Sequence, residues 1–127
     1  MLTIESVDHI AFAVRDTEKS AEWYTRVFDM QRIYEDVWTG LGDPIALCNG
    51  IACVALFRNR FHEPLREEPE HANRHFAFRV DEQNLTFIRQ RLKEMDIEFK
   101  ERDHKVCTSL YLNDPDGYQI EVTHYYK

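Results

Sequence analysis

The chain has 127 residues, enough for one domain with a hydrophobic core, and its 43% hydrophobic and 31% charged residues are ordinary for a soluble globular protein. A net charge of −7 gives no basic surface for nucleic acids or anionic lipids, so we expect neither kind of partner. No apolar run approaches the roughly 18 residues of a membrane span. The acidic N-terminal segment does not resemble a signal peptide.

The cysteines indicate a compartment. Cys48, Cys53 and Cys107 form no CxxC pair, and an odd number does not suggest a disulfide framework. We therefore predict three buried structural thiols in a protein of the reducing cytoplasm.

The first predicted element is a strand within residues 4–14. Alternate side chains of a strand point to opposite faces, and one face here is bulky, with Ile10, Phe12 and Val14. The other face carries one histidine and two small residues, which are His9, Ala11 and Ala13. A face of this second kind is typical of a strand that lines a pocket.

The rest of the first half predicts a helix and three more strands. Asp16 is a suitable N-cap, and apolar residues at helical spacing continue to about Asp29. The strands are predicted over residues 31–38, 45–48 and 50–57. Asn49–Gly50 is a hairpin signal between the last two, so the order is β-α-β-β-β.

The second half repeats this order. We assign residues 1–58 to a first module, 59–71 to a polar linker and 72–127 to a second module. In the second module Asp81 or Asn84 caps the helix. The strands are predicted over residues 75–80, 97–100, 106–112 and 118–124, with a turn at the sequence DPDG before the last of them.

A short motif recurs in the two modules. The motif occurs in Asp8–Val14 and again in Arg74–Val80. After the first residue, each segment has histidine, an apolar residue, alanine, phenylalanine, any residue and valine. The two histidines, His9 and His75, lie 66 residues apart. Two copies at such a long period indicate a duplicated half-domain rather than a solenoid.

The same offset relates the last strands of the two modules, where Glu121 corresponds to Ala55. Two histidines and a carboxylate, namely His9, His75 and Glu121, suit one divalent metal ion with open coordination positions. We predict such a site, while the choice among iron, manganese, nickel and zinc stays open because affinity order and availability compete.

Four further residues near this predicted site have both a functional and a structural interpretation. Ser109 and Tyr111 share a strand face, and the Tyr111 hydroxyl can either donate to a substrate oxyanion or simply pack in the core. Arg79 is expected at the rim and His124 outside the site. The linker histidines, His62 and His71, are interpreted as solvated.

These features resemble the vicinal oxygen chelate superfamily, also called the glyoxalase/bleomycin resistance/dioxygenase family. The resemblance spans nearly the whole chain and includes His9, His75 and the run Asn113–Glu121 (NDPDGYQIE). It implies an α+β fold in which two tandem βαβββ modules form a cupped, barrel-like mixed sheet with the helices outside. It also implies a metal that binds adjacent oxygens of a small-molecule substrate. A homodimer follows as well, in which each site can combine modules from different chains.

The activity within this family has several interpretations. The leading one is a metal-dependent enzyme, either a glyoxalase-like lyase or an extradiol-dioxygenase-like protein. Ala55 lies where glyoxalase I enzymes have a fourth ligand, so no general base is evident for a lyase. The alternative is a binding protein that sequesters a small ligand without turnover. A fosfomycin-modifying transferase is less favoured, because Glu101 lies where that group has a basic residue.

Overall fold

The structure is a computed structural model that describes residues 1–40, 44–59 and 75–126. Chain contacts divide it into two compact units, residues 1–63 and 64–127. Most of the predicted linker, including His62 and His71, lies outside the described residues.

Both units have the predicted β-α-β-β-β order. The first contains β1 (Ile10–Val14), α1 (Thr17–Phe28), β2 (Gln31–Ile33), β3 (Ile45–Asn49) and β4 (Ala52–Arg58). The second contains β5 (Phe76–Arg79), α2 (Glu82–Glu94), β6 (Lys100–Asp103), β7 (Cys107–Asn113) and β8 (Gln119–Tyr125). The predicted α+β class with two βαβββ modules is therefore confirmed.

Each module forms one four-stranded mixed sheet. The strand orders are β1-β4-β3-β2 and β5-β8-β7-β6. In each sheet the first strand of the module runs parallel to the last, and the other neighbouring strands are antiparallel. Among the described residues, no helix is long and apolar enough to cross a membrane.

Strand register reproduces the offset seen in the sequence. Ala11 is opposite Ala55 in the first sheet, and Ala77 is opposite Glu121 in the second. Both partners are displaced by 66 residues between the modules. The duplication therefore extends from the sequence motif to the pairing of strands.

Both helices begin as predicted, at an aspartate that caps free backbone N–H groups. The Asp16 carboxylate accepts a hydrogen bond from the Lys19 amide at 3.1 Å, and the Asp81 carboxylate accepts one from the Asn84 amide at 2.8 Å. Asp81 is thus the cap of α2. The apolar stripes Ala21, Tyr24 and Val27 of α1 and Leu85, Ile88 and Leu92 of α2 are buried, which joins each helix to its own sheet.

Several predicted strand boundaries differ from those of the structure. The first strand begins at Ile10, so His9 lies just before it rather than inside it, and His75 likewise precedes β5. The second strand ends at Ile33, since Tyr34 has a positive φ of 55° and its carbonyl closes a turn.

Two other boundaries shift for similar reasons. The β3–β4 turn is Gly50–Ile51 rather than Asn49–Gly50, with Gly50 at a φ of 60° that glycine adopts readily. Residues 97–99 are not a strand, because the Ile97 amide bonds back to the Leu92 carbonyl at 2.9 Å and extends the helix end.

The cysteine prediction is wrong for two of the three residues. Cys48 and Cys53 are opposite each other in the β3–β4 ladder, with Cα atoms 4.1 Å apart, and they form a disulfide. The tight hairpin brings them together, an effect that their spacing in the sequence did not suggest. Cys107 is free and buried, as expected. The cytoplasmic location stays a prediction.

Candidate metal centre

One face of the second sheet is polar and carries most of the candidate residues. Cross-strand partners point to the same face of a sheet, and the register therefore groups Ala77, Arg79, Lys100, Arg102, Ser109, Tyr111, Glu121 and Thr123. We call this set the site face. The opposite face presents the apolar side chains Phe76, Phe78, Leu110, Leu112, Ile120 and Val122.

Helix α2 lies on that opposite, apolar face. Arg89 of the helix forms an ion pair at 2.7 Å with Glu101, whose cross-strand partner is the core residue Leu110. Leu110 is fully buried. The site face is consequently the side of the sheet that its own helix does not cover.

His75 and Glu121 form the closest pair of candidate ligands. His75 Nε2 lies 2.8 Å from Glu121 Oε1, and their side chains are 33% and 12% exposed. The pair forms because β5 and β8 are parallel neighbours. With metal–ligand bonds of about 2.1 Å, two donors at a right angle lie roughly 3 Å apart. The observed separation therefore fits two neighbouring positions on one ion.

The second oxygen of Glu121 is held by a chain of hydroxyl groups. Ser109 Oγ lies 2.6 Å from Glu121 Oε2 and 2.9 Å from Thr123 Oγ1. A hydroxyl has one proton, so Ser109 donates to the carboxylate and accepts from Thr123. Both hydroxyl residues are buried. The chain fixes the orientation of Glu121, as partners of metal ligands commonly do.

Tyr111 is the next residue on the site face. It is opposite Glu121 in the β7–β8 ladder, and its ring centroid lies 6.1 Å from that of His75. Partial burial, followed by the negative charge of Glu121, raises the pKa of Tyr111 above its usual value. The phenol is therefore protonated at neutral pH and can donate a hydrogen bond.

Sequence reasoning missed two residues of this group. Thr123 completes the hydroxyl chain, and His104 Nε2 lies 2.8 Å from the Tyr111 hydroxyl. Alternation within β8 could have suggested Thr123, since it shares a face with Glu121. His104 has no comparable signal, because it belongs to the turn between β6 and β7 and no motif includes it.

His9 belongs to the first unit. Its Nδ1 lies 2.8 Å from an Asp8 carboxylate oxygen, and its side chain is 50% exposed. Within residues 75–126 no third histidine, cysteine, aspartate or glutamate joins His75 and Glu121 in a metal-binding group. The assignment of His9 as a ligand stays a prediction.

Arg79 and His124, the two other candidates in the second module, contact residues other than His75 and Glu121. The Arg79 guanidinium stacks over the Tyr125 ring at 4.7 Å, which holds it at the end of its strand. His124 is opposite Thr108, on the face that does not contain Glu121, and its Nδ1 lies 3.2 Å from the Val80 carbonyl oxygen.

Comparison with known proteins places this geometry in a family. Residues 6–122 match the Glyoxalase/Bleomycin resistance protein/Dioxygenase superfamily. The metallothiol transferase FosB of Staphylococcus epidermidis is 32% identical over 124 residues, which is 95% of this chain and 82% of that protein. The glutathione transferase FosA of Serratia marcescens is 24% identical over 120 residues, or 94% of this chain and 80% of that protein.

Solved structures show the same fold at lower identity. A mutant of the fosfomycin resistance protein FosX from Listeria monocytogenes, complexed with Mn(II) and 1S,2S-dihydroxypropylphosphonic acid, is 21% identical with a TM-score of 0.77 and covers 97% of this chain and 94% of its own. A glyoxalase/dioxygenase from Nostoc punctiforme is 23% identical, also with a TM-score of 0.77, covering 97% and 92%. The family match covers most of the chain, and the structure has two βαβββ modules. The chain therefore belongs to the glyoxalase/bleomycin resistance protein/dioxygenase superfamily.

Proposed function

We propose that this protein is a divalent-metal-dependent enzyme that modifies a small epoxide-bearing phosphonate such as fosfomycin, adding a thiol or water to one epoxide carbon while the C–O bond breaks and the epoxide oxygen takes up a proton. The observation that carries the proposal is the distance of 2.8 Å between the His75 nitrogen and the Glu121 oxygen that would bind the metal. The Ser109 hydroxyl lies beside this pair. The names of the curated relatives support it, since those proteins are thiol transferases. The Mn(II) and phosphonate bound to a structural relative point the same way.

His75 and Glu121 would hold the metal, and we propose His9 as the third ligand. When bound, the ion supplies Lewis-acid chemistry, stabilising negative charge on a substrate oxygen. Ser109 and Thr123 keep the Glu121 carboxylate turned toward His75. Tyr111, protonated at neutral pH, offers a proton to the oxygen on which charge develops.

Positive charge for a phosphonate is available on the site face. The resemblance to fosfomycin-modifying enzymes implies that they have a basic residue at the position of Glu101, which this chain lacks. Glu101 points away from the site face and pairs with Arg89, whereas its neighbours Lys100 and Arg102 belong to the site face. Both neighbours are exposed, and neither has an ion-pair partner within the described residues 75–126. They supply the positive charge that a phosphonate needs.

The lyase and extradiol dioxygenase activities stay predictions. Ala55 has no proton-accepting group, so a lyase lacks its usual base at this position. A dioxygenase would use the same ligands with iron and molecular oxygen. The experiment below therefore also tests for lyase activity, dioxygenase activity and binding without turnover.

The test is reconstitution of metal-free protein with Mn(II), Fe(II), Ni(II) or Zn(II) under anaerobic conditions. Fosfomycin is then supplied with glutathione, with cysteine or with water alone, and products are followed by ³¹P NMR. We expect a metal-dependent product that Glu121→Ala abolishes and Glu101→Gln retains, since the second carboxylate lies on the other face of the sheet.

Parallel assays use catechols with oxygen and hemithioacetals. Turnover of either one, with fosfomycin unchanged, would overturn the phosphonate proposal. Tight fosfomycin binding with no product in any metal form would establish sequestration instead.

A further inference from the structure

The turn between β6 and β7 holds a histidine in a defined position. The His104 amide donates to the Cys107 carbonyl at 2.8 Å, which closes a tight turn around residues 105 and 106. The Asp103 carboxylate accepts the Lys105 amide at 2.8 Å, with Lys105 at a φ of 73°. The backbone of this turn is therefore fixed on both sides of His104.

The short connection also determines where the His104 side chain points. Lys100 is opposite Tyr111 in the ladder, and residues at even positions of β6 belong to the site face. His104 continues that alternation. Its Nε2 lies 2.8 Å from the Tyr111 hydroxyl oxygen, and the two rings meet edge to face at 86°.

The phenol has one proton and more than one possible acceptor. If His104 Nε2 accepts that proton, the hydroxyl points at the imidazole and cannot donate to a substrate. If Nε2 carries the hydrogen and donates, the tyrosine proton is left for another oxygen. His104 is exposed, so Nδ1 can accept from water and permits this second tautomer.

We propose that His104 is a positioning residue, whose Nε2–H donates to Tyr111 and leaves the tyrosine's proton for an oxygen of the substrate bound beside His75 and Glu121. This inference rests on the proposed function for the identity of the substrate. The contact itself depends only on the second module. It gives Tyr111 a fixed donor direction before substrate binds, which lowers the cost of ordering the hydroxyl.

The first test needs no turnover. In protein with ¹⁵N-labelled histidine, the ring nitrogen shifts report the tautomer of neutral His104. We expect Nε2 in the range of protonated nitrogens, with a change in shift in the Tyr111→Phe variant. His124, which contacts the Val80 carbonyl and the Tyr126 ring rather than Tyr111, is the internal control and should not change. An unprotonated Nε2 would overturn the proposal.

The second test is a double-mutant cycle in steady-state kinetics. His104→Leu should lower kcat by roughly three- to tenfold with little change in KM, the range expected for one neutral hydrogen bond. His104→Gln retains a donor and should recover most of the loss. In a Tyr111→Phe background, His104→Leu should have no further effect. An equal loss in that background would mean that His104 does not act through Tyr111.

The two failures are distinguishable. A protonated Nε2 in a protein that modifies no phosphonate would overturn the proposed function while the His104–Tyr111 donation stands. An unprotonated Nε2 in an active enzyme would overturn the positioning role alone.

Discussion

The two modules share one backbone plan but differ in what their equivalent strands present. In the second module, Glu121 is opposite both Ala77 and Tyr111. The equivalent residue in the first module, Ala55, is opposite Ala11 and Ala46. Strand register is therefore retained, while at these equivalent positions polar side chains that can bind or donate occur in the second module.

This difference distinguishes the buried apolar residues, which maintain the fold, from the residues of the other face, which are available for chemistry. The residues that alternate with these positions are apolar in both modules, as with Val54 and Leu56 in the first and Ile120 and Val122 in the second, and all four are buried. Register depends on that buried face. On the other face, Glu121 and Tyr111 stand where the first module has Ala55 and Ala46, without altering the pairing of strands.

The largest expected effect is loss of the metal. Glu121→Ala should lower the metal content to background and kcat/KM by more than about a hundredfold, because it removes a proposed ligand and breaks the pair with His75. Ala55→Ser, at the equivalent position, should change both by less than about twofold. Metal analysis of the purified proteins and steady-state kinetics measure both effects, and equal losses in the two variants would show that Glu121 has no special role relative to Ala55.

The next prediction concerns His9 and the proposed homodimer. If each site takes His9 from one chain and Glu121 from the other, co-refolding His9→Ala with Glu121→Ala should restore about a quarter of wild-type activity, since half of the dimers are mixed and each has one intact site. Sedimentation should show a dimer. A dimer with no recovery would place each site within a single chain.

Ser109→Ala should weaken metal binding by roughly ten- to a hundredfold, because Glu121 loses the donor that orients its second oxygen. Thr108→Val is the matched control on the same strand, since Thr108 points to the opposite face and contacts Tyr126. Titration with a fluorescent metal chelator measures both affinities. Equal weakening in the control would indicate a general loss of structure.

The disulfide distinguishes the modules in a different way. Denatured, unreduced protein should have one reactive thiol, from Cys107, and reduction should raise the number to three. Reduction should lower the free energy of unfolding by about 2 kcal/mol, the expected scale for such a short loop. A Cys48→Ser, Cys53→Ser double variant should be insensitive to reductant in urea unfolding, and three thiols before reduction would contradict the bond.

The smallest effect is expected at the turn that carries His104. The backbone hydrogen bond from Lys105, followed by the Tyr126 hydroxyl, holds the pKa of the Asp103 carboxyl below its usual value. Because the pKa is lowered in the folded state, this contribution to stability is present above the unfolded pKa and is lost as the pH falls through the folded one. Tyr126→Phe should raise the Asp103 pKa in an NMR titration, whereas Tyr125→Phe should leave it unchanged.

Module order, the capped helices and the strand equivalence that relates Glu121 to Ala55 can all be predicted from the residues alone. These follow from local signals, namely apolar periodicity, N-cap residues and a repeated motif. The residues alone also pointed to His9, His75 and Glu121 as a set of ligands, and in the structure the facing atoms of His75 and Glu121 lie 2.8 Å apart. Their role toward a metal stays a proposal.

Which side chains meet across neighbouring strands could not be predicted and became clear from the folded chain. Alternation tells which residues of one strand share a face, but the length of a turn decides which residues of the next strand join them. The β3–β4 turn places Cys48 opposite Cys53, where they form a disulfide. The β6–β7 turn places Glu101 on the face that packs against α2 and His104 beside Tyr111. A shift of one residue in the register of either hairpin would move these side chains to the opposite face of the sheet. No local pattern in the sequence determines that register.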